Sequence, residues 1–209
     1  MRSEWEDLDG STPSGTGTGT DLIAPFDTPY IIHIYSLDGK ERQRVAKSLQ
    51  KHFGNVGVIA VPRILLRAEL KGIKLDGHDR PGMIVLCHYN EGRVLLTDQD
   101  GMYNDFILEA CRVTGGNVFV ALSPVSTSIT ALANERLVTA LAYSGGQQGL
   151  LSIHIQRRFL TWVKTPSETQ LQLLSMAMRG EASALVVPAS VLEYSGQRRW
   201  TTLSFCSVL

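Results

Sequence analysis

This chain has few cysteines, no long apolar run and no excess of charge, and each shortage removes a class of protein. Its three cysteines, Cys87, Cys111 and Cys206, are far apart and odd in number. That excludes a disulfide framework and a C-x-x-C metal site, and it fits a reduced, cytoplasmic setting. No apolar stretch approaches the roughly 18 residues that a membrane span needs. The N-terminus is acidic where a secretory or transit leader is basic, and it lacks an apolar core segment.

Lysine and arginine total 20 and aspartate and glutamate total 20, so the formal charge is zero. The balance is uneven along the chain. Residues 1–29 hold Glu4, Glu6, Asp7, Asp9, Asp21 and Asp27 against Arg2 alone, a balance of −5 that leaves the remainder at +5. Basicity of that size falls short of a nucleic-acid footprint, so no specific nucleic acid is expected as a partner.

Apolar residues make up 44% and charged residues 19% of the 209 positions, enough for a sizeable core in one domain of roughly 180 residues plus a tail. Residues 1–29, with SGTGTGT and Pro13, Pro25 and Pro29, read as a disordered acidic arm. The composition changes at Tyr30, so residues 30–209 read as the folded domain.

Within the domain, Tyr30–Tyr35 is a short run of strand formers. Val45, Leu49 and Phe53 then recur every four residues with Ala46 beside them, which predicts a helix. Asp38 followed by Glu41 resembles a capping box at its start, and Gly54 supplies the stop. Val56–Val61, closed by Pro62, is the next strand, completing a βαβ unit. Ile64–Ile73 suits a short helix or a strand. Met83–Tyr89 and Arg93–Thr97 flank Asn90-Glu91-Gly92 as a hairpin would.

Tyr103, Phe106, Ile107, Ala110 and Cys111 fall on one helical face, ended by Gly115-Gly116. Asn117–Leu122 is a continuous apolar run of the kind buried on both faces. Ile129, Leu132, Ala133, Leu137, Ala140 and Leu141 mark a further helix, and Leu150–Ile155 reads as a strand. Thr165-Pro166-Ser167-Glu168 reads as a helix start with Thr165 as N-cap. Ala184–Val187 and Trp200–Val208 read as closing strands. The fold class is α/β: one three-layer domain with a mixed, mostly parallel sheet, helices on both faces and the 83–97 hairpin as its antiparallel intrusion.

Arg93–Asp105, RVLLTDQDGMYND, is an apolar run ending in two carboxylates and a glycine. It resembles the first motif of haloacid-dehalogenase-type phosphatases over about ten residues. That resemblance implies Asp98 as nucleophile, Asp100 as acid/base on magnesium and Asp105 at the trailing polar position. Magnesium at such a site needs a downstream acidic pair, and no aspartate follows Asp105. The same letters resemble the L-L-T-D-x-D-G-x-Y turn of amino-acid kinases, whose glycine-rich phosphate loops are absent here. The plainer reading is a turn that caps the helix starting near Met102.

Other residues invite a site. Ser36 and Lys40 lie between a strand and a helix, where α/β sheets bind ligands. Gly145-Gly146-Gln147-Gln148-Gly149 looks like a phosphate cradle but stands between a helix and an expected strand, the wrong order for one. Cys87, His88 and Cys111 suggest a thiolate or zinc, without a metal-binding spacing. His33 and His154 are placed in strands. Cys206-Ser207-Val208-Leu209 fits a prenylation signal, with a buried terminal strand as its competitor. The helix carrying Lys40, Arg42, Arg44, Lys47 and Lys51 has a basic face, to which Arg157-Arg158 adds.

The expectation is a non-catalytic interaction or scaffold domain that binds a protein partner and needs no cofactor. A magnesium-dependent, phosphatase-like enzyme centred on Asp98 and Asp100 is the alternative. A form tethered by a prenyl group on Cys206 is the third.

Overall fold

The runs of β-branched and aromatic residues form strands because their alternate side chains have apolar partners on both sides. The computed structural model describes residues 25–75, 80–90, 103–144, 148–184 and 186. In chain order its elements are β1 (Tyr30–Ser36), α1 (Gly39–Phe53), β2 (Val58–Ile64), β3 (Met83–Tyr89), α2 (Asn104–Thr114), β4 (Val118–Ser123), α3 (Glu135–Ser144), α4 (Gln148–Ile155), β5 (Phe159–Thr161) and α5 (Glu168–Met178). The five strands form one sheet in the order β2-β1-β3-β4-β5, and every pair is parallel. The arm expected at Arg93–Thr97 lies outside the described residues, as do residues 1–24 and Trp200–Val208. Ala184 and Val186 are exposed and in no strand.

Two cores flank the sheet. Ile32, Ile34, Val85, Cys87, Phe119 and Leu160 meet α1 and α5 on one face. Tyr35, Ile84, Leu86, Val120 and Phe159 meet α2, α3 and α4 on the other. The central strands β3 and β4 are buried on both sides, as expected where helices cover both faces of a parallel sheet. Each fully buried Leu, Ile or Phe contributes roughly 1.5–3 kcal/mol.

Among the described residues, the strand-to-strand crossing from β2 to β3 contains only a 3-10 turn, Arg67–Glu69. Carboxylates of α2 hold it in place of a helix: Gly72 N–H donates to Asp105 Oδ2 at 2.9 Å and Leu75 N–H to Glu109 Oε1 at 3.0 Å. Burial pushes the Glu109 carboxyl up. Its paired bonds with Arg112, the Leu75 N–H and the nearby cations outweigh that, so it sits below the usual range. Asp105, read from the sequence as part of a phosphatase motif, serves this tether.

Several sequence expectations are corrected. Leu150–Ile155 is part of helix α4, not a strand: Leu150 and Ile153 share its buried face. Helix α3 begins at Glu135 instead of Ile129, because Asn134 caps it by accepting from Leu137 N–H. β2 continues through Pro62 to Ile64, which is permitted because an edge strand can spare an outward N–H. The N-cap of α5 is Ser167, in a full capping box with Gln170, instead of Thr165. β5, three residues long, had no sequence signal. Phe26, assigned to the arm, packs on the α1-side core and donates its N–H to Val56 O at 3.0 Å.

Candidate functional site

In this strand order β1 and β3 are parallel neighbours, and the helices that follow them, α1 and α2, cover opposite faces of the sheet. The carboxyl ends of β1 and β3 are therefore the switch point of the strand order, the position at which sheets of this kind take ligands. Ser36 and Lys40 both stand there. Ser36 is 0% exposed, and its hydroxyl accepts the Asp38 N–H at 3.1 Å. Lys40, the second residue of α1, is exposed. Asp98, Asp100 and Cys206 lie outside the described residues.

The α1 side of the rim is locked by charge. Asp38 caps the helix by accepting Glu41 N–H at 2.6 Å. The Glu41 side chain does not reach back to complete a capping box. It is 3% exposed and accepts from Ser123 Oγ on β4, while Arg44 grips both its oxygens at 2.6 and 2.7 Å. Arg44 also donates to the carbonyls of Val163, at 3.2 Å, and Lys164. One ion pair therefore fastens α1 to β4 and to the segment after β5. Removing Arg44 leaves the buried Glu41 charge without its partner, a loss of about 3–5 kcal/mol, whereas the Arg44 side chain, 32% exposed, keeps access to water when Glu41 is removed. Arg42 donates to Ser36 O at 3.4 Å, and its buried Nε has no partner.

On the α2 side, His88 Nδ1 lies 3.1 Å from the hydroxyl of Tyr103, their rings edge to face. Both are buried. Burial alone lowers the His88 pKa to about 4, so the ring is neutral at physiological pH. Its Nε2 is buried without a hydrogen-bond partner. Burial raises the Tyr103 phenol, against a smaller pull from Arg67. The sequence offered no sign of this pair, since fifteen residues separate its members. An imidazole this weakly basic and this buried has neither the proton affinity nor the access of a general base.

The thiol and histidine residues singled out in the sequence are not brought together. Cys87 lies in the α1-side core and Cys111 packs against the opposite one. Burial raises both thiols, Cys111 to about 12, so neither is a thiolate at neutral pH. His33 on β1 lies 3.1 Å from Arg63 Nη2, and His154 belongs to helix α4 instead of a strand. Gly149 likewise opens a helix, with its N–H donating to Asn104 Oδ1 at 2.9 Å. Gly145, Gly146 and Gln147 are outside the described residues. Among the described residues no group of three or more His, Cys, Asp or Glu is placed to hold a metal ion. No helix among them is long and apolar enough to cross a membrane.

The outer face of α1 is different in kind. Lys40, Arg44, Lys47 and Lys51 fall at i, i+4, i+7 and i+11, a single stripe about 16 Å long. Arg44 is engaged as described. Lys40, Lys47 and Lys51 are exposed, and none forms an ion pair among the described residues. Over Gly39–Phe53 five lysines and arginines face one glutamate, Glu41, and that one is buried. Arg158, counted with this basic surface in the sequence reading, is 3% exposed and belongs elsewhere. It stacks over Phe119 at 4.7 Å and donates to Val118 O at 3.3 Å and to Ser183 O. No protein-family model, curated protein or solved structure matches this chain.

Proposed function

We propose that this chain is a non-catalytic interaction domain that docks an acidic segment of a protein partner along the outer face of α1. The observation that carries the reading is the stripe of Lys40, Lys47 and Lys51, exposed and without counter-charge on a helix fixed to the sheet by Glu41, Arg44 and Ser123. A rigid row of unpaired cations supplies steering and register for a row of carboxylates. Such contacts weaken with salt, since the Debye length falls from about 10 Å at 0.1 M to about 3 Å at 1 M. The zero net charge of the chain favours a protein partner over nucleic acid.

The test is the binding of a fluorescein-labelled oligoglutamate peptide to the full chain at low salt, beside Lys40→Glu/Lys47→Glu/Lys51→Glu. Loss of at least tenfold in affinity is expected from the triple reversal. Equal affinity in the two proteins overturns the proposal, and so does tighter binding of a single-stranded oligonucleotide than of the peptide. The phosphate-ester alternative rests on Asp98 and Asp100 alone. A magnesium-dependent activity lost in Asp98→Asn supports it, and inert wild-type protein removes it.

A further inference from the structure

Arg44 ties a second element into the stripe. Its guanidinium, held by Glu41, also donates to the carbonyls of Val163, at 3.2 Å, and Lys164. The segment after β5 is therefore fastened to the flank of α1 at mid-stripe, between Lys40 and Lys47. That segment brings one more cation and an apolar side chain. Lys164 is exposed and forms no ion pair among the described residues, and Val163 is 49% exposed. Ile129, 80% exposed, stands on the connection that borders this segment. There Val125 N–H donates to Trp162 O at 2.9 Å, and Thr169 Oγ1 of α5 donates to Ile129 O at 3.3 Å. The opposite flank of the stripe differs. Gln43 and Gln50, seven residues apart and so on one side of the helix, are both exposed there, with Gln50 bonded to β2. The α1 face is thus cationic along its centre, apolar toward β5 and lined by amides toward β2.

We infer that the partner's acidic segment is an amphipathic helix, with carboxylates over the lysines and apolar side chains seated on Val163 and Ile129. The inference rests on the docking reading proposed above and adds the partner's conformation and its apolar edge. Lys40, Lys47 and Lys51 are separated along the helix axis by about 10.5 and 6 Å. A second helix laid along α1 repeats those intervals with carboxylates at i, i+7 and i+11, or at i, i+4 and i+11 when it runs antiparallel. An extended chain places same-side residues about 6.6 Å apart. It matches the shorter interval, whereas the longer one falls between its first and second repeats. Exposed ion pairs steer and orient a partner more than they hold it. The apolar seats supply the part of the attraction that salt does not screen. They lie on one side of the stripe only, so they also set the side to which the partner helix turns its apolar edge. Lys164 stands at that same edge and takes a carboxylate off the main row.

The test uses the full chain and two fluorescein-labelled peptides of identical composition. One carries glutamate at i, i+4, i+7 and i+11 with leucine on both flanks of that row. In the other the same residues are shuffled so that no helical face forms. The patterned peptide should bind about tenfold more tightly than the shuffled one at low salt. In about 0.5 M salt both affinities should fall while the ratio between them persists, because apolar contact sets it. Val163→Ser/Ile129→Ser should bring the ratio down to about twofold. It should leave oligoglutamate binding unchanged, which also shows that the variant is folded. Lys164→Glu should weaken the patterned peptide by about threefold. Equal binding of the two peptides, a ratio that vanishes in salt, or an undiminished ratio in the double variant overturns the helical, apolar-edged partner and leaves the docking face standing. If wild type binds no acidic peptide, or if the Lys40→Glu/Lys47→Glu/Lys51→Glu form binds them all as wild type does, the docking reading fails and takes this inference with it.

Discussion

The two edges of the sheet are closed by the same residue type in opposite settings. At the β2 edge, Gln50 of α1 donates to Val58 O at 3.1 Å and accepts from Ala60 N–H at 2.9 Å, copying one residue of a neighbouring strand. Pro62 removes the next outward donor two residues on. At the β5 edge, Gln170 of α5 donates to Thr161 O at 2.7 Å and Leu132 O at 2.6 Å, and accepts from Ser167 N–H at 2.8 Å. Gln170 is 0% exposed whereas Gln50 lies at the surface. An open strand edge is a template for unwanted pairing. The long edge is therefore blunted in contact with water, and the short one is sealed inside the fold. Burial, not the number of bonds, separates the two: water replaces what Gln50 gives up and cannot replace what Gln170 gives up.

The sharpest way to break this comparison is Gln170→Ala. It strands a buried carbonyl and N–H and leaves a cavity, and a loss of about 4 kcal/mol in unfolding free energy is expected by urea denaturation. A loss under about 1 kcal/mol would mean that water enters the β5 edge and that the two edges are alike. Acid supplies the next largest effect and tests the rim separately, since neither glutamine titrates. The folded His88 imidazole, with its pKa lowered to about 4 by burial, holds a proton less tightly than the unfolded one. The unfolded chain therefore gains protons first as pH falls. Stability from this group is fully present above about pH 6.5 and falls by up to about 3 kcal/mol as pH drops to 4. In His88→Phe that part of the slope should vanish; an unchanged slope would place the acid sensitivity elsewhere.

Gln50→Ala should cost about 0.5–1 kcal/mol, since solvent takes over its two bonds. Its main expected effect is concentration-dependent association, read by light scattering. Pro62→Val should shift stability least, by a few tenths of a kcal/mol, while restoring an outward donor. The double variant should associate more than either single one. Monomeric behaviour of the double variant would show that the exposed Ile59 and Ile64 of β2, and Leu66 just after it, do not promote pairing.

What could be read from the sequence follows the range of the interactions involved. Helix α1 was legible because Val45, Leu49 and Phe53 repeat within one element, and β1 and β4 because their runs are continuous. The cation stripe was legible for the same reason. Helix α4 was not, because LLSIHI is apolar around much of its circumference and carries no clear period. β5 is too short to make a pattern. Glutamine in a helix ordinarily reads as solvent-facing, so nothing marked Gln50 or Gln170 as edge covers. Glu41 meets Ser123 across 82 residues and Arg44 meets Val163 across 119. A local reading gave Glu41 to a capping box because its true partners are remote. Arg158 was misassigned to the surface for a related reason: its solvation by backbone carbonyls and the Phe119 ring is invisible until the chain is folded.

The tether between the β2-to-β3 crossing and α2 has a consequence for the order in which the protein is made. Gly72 and Leu75 wait on acceptors that the ribosome adds more than thirty positions later. The first two strands and α1 have their own local partners and can assemble early. The crossing that leads to the central strand is left unfastened until Asp105 and Glu109 have been added. A chain stalled before residue 105 lacks these two acceptors, so Gly72 and Leu75 must give their N–H groups to water until α2 is made.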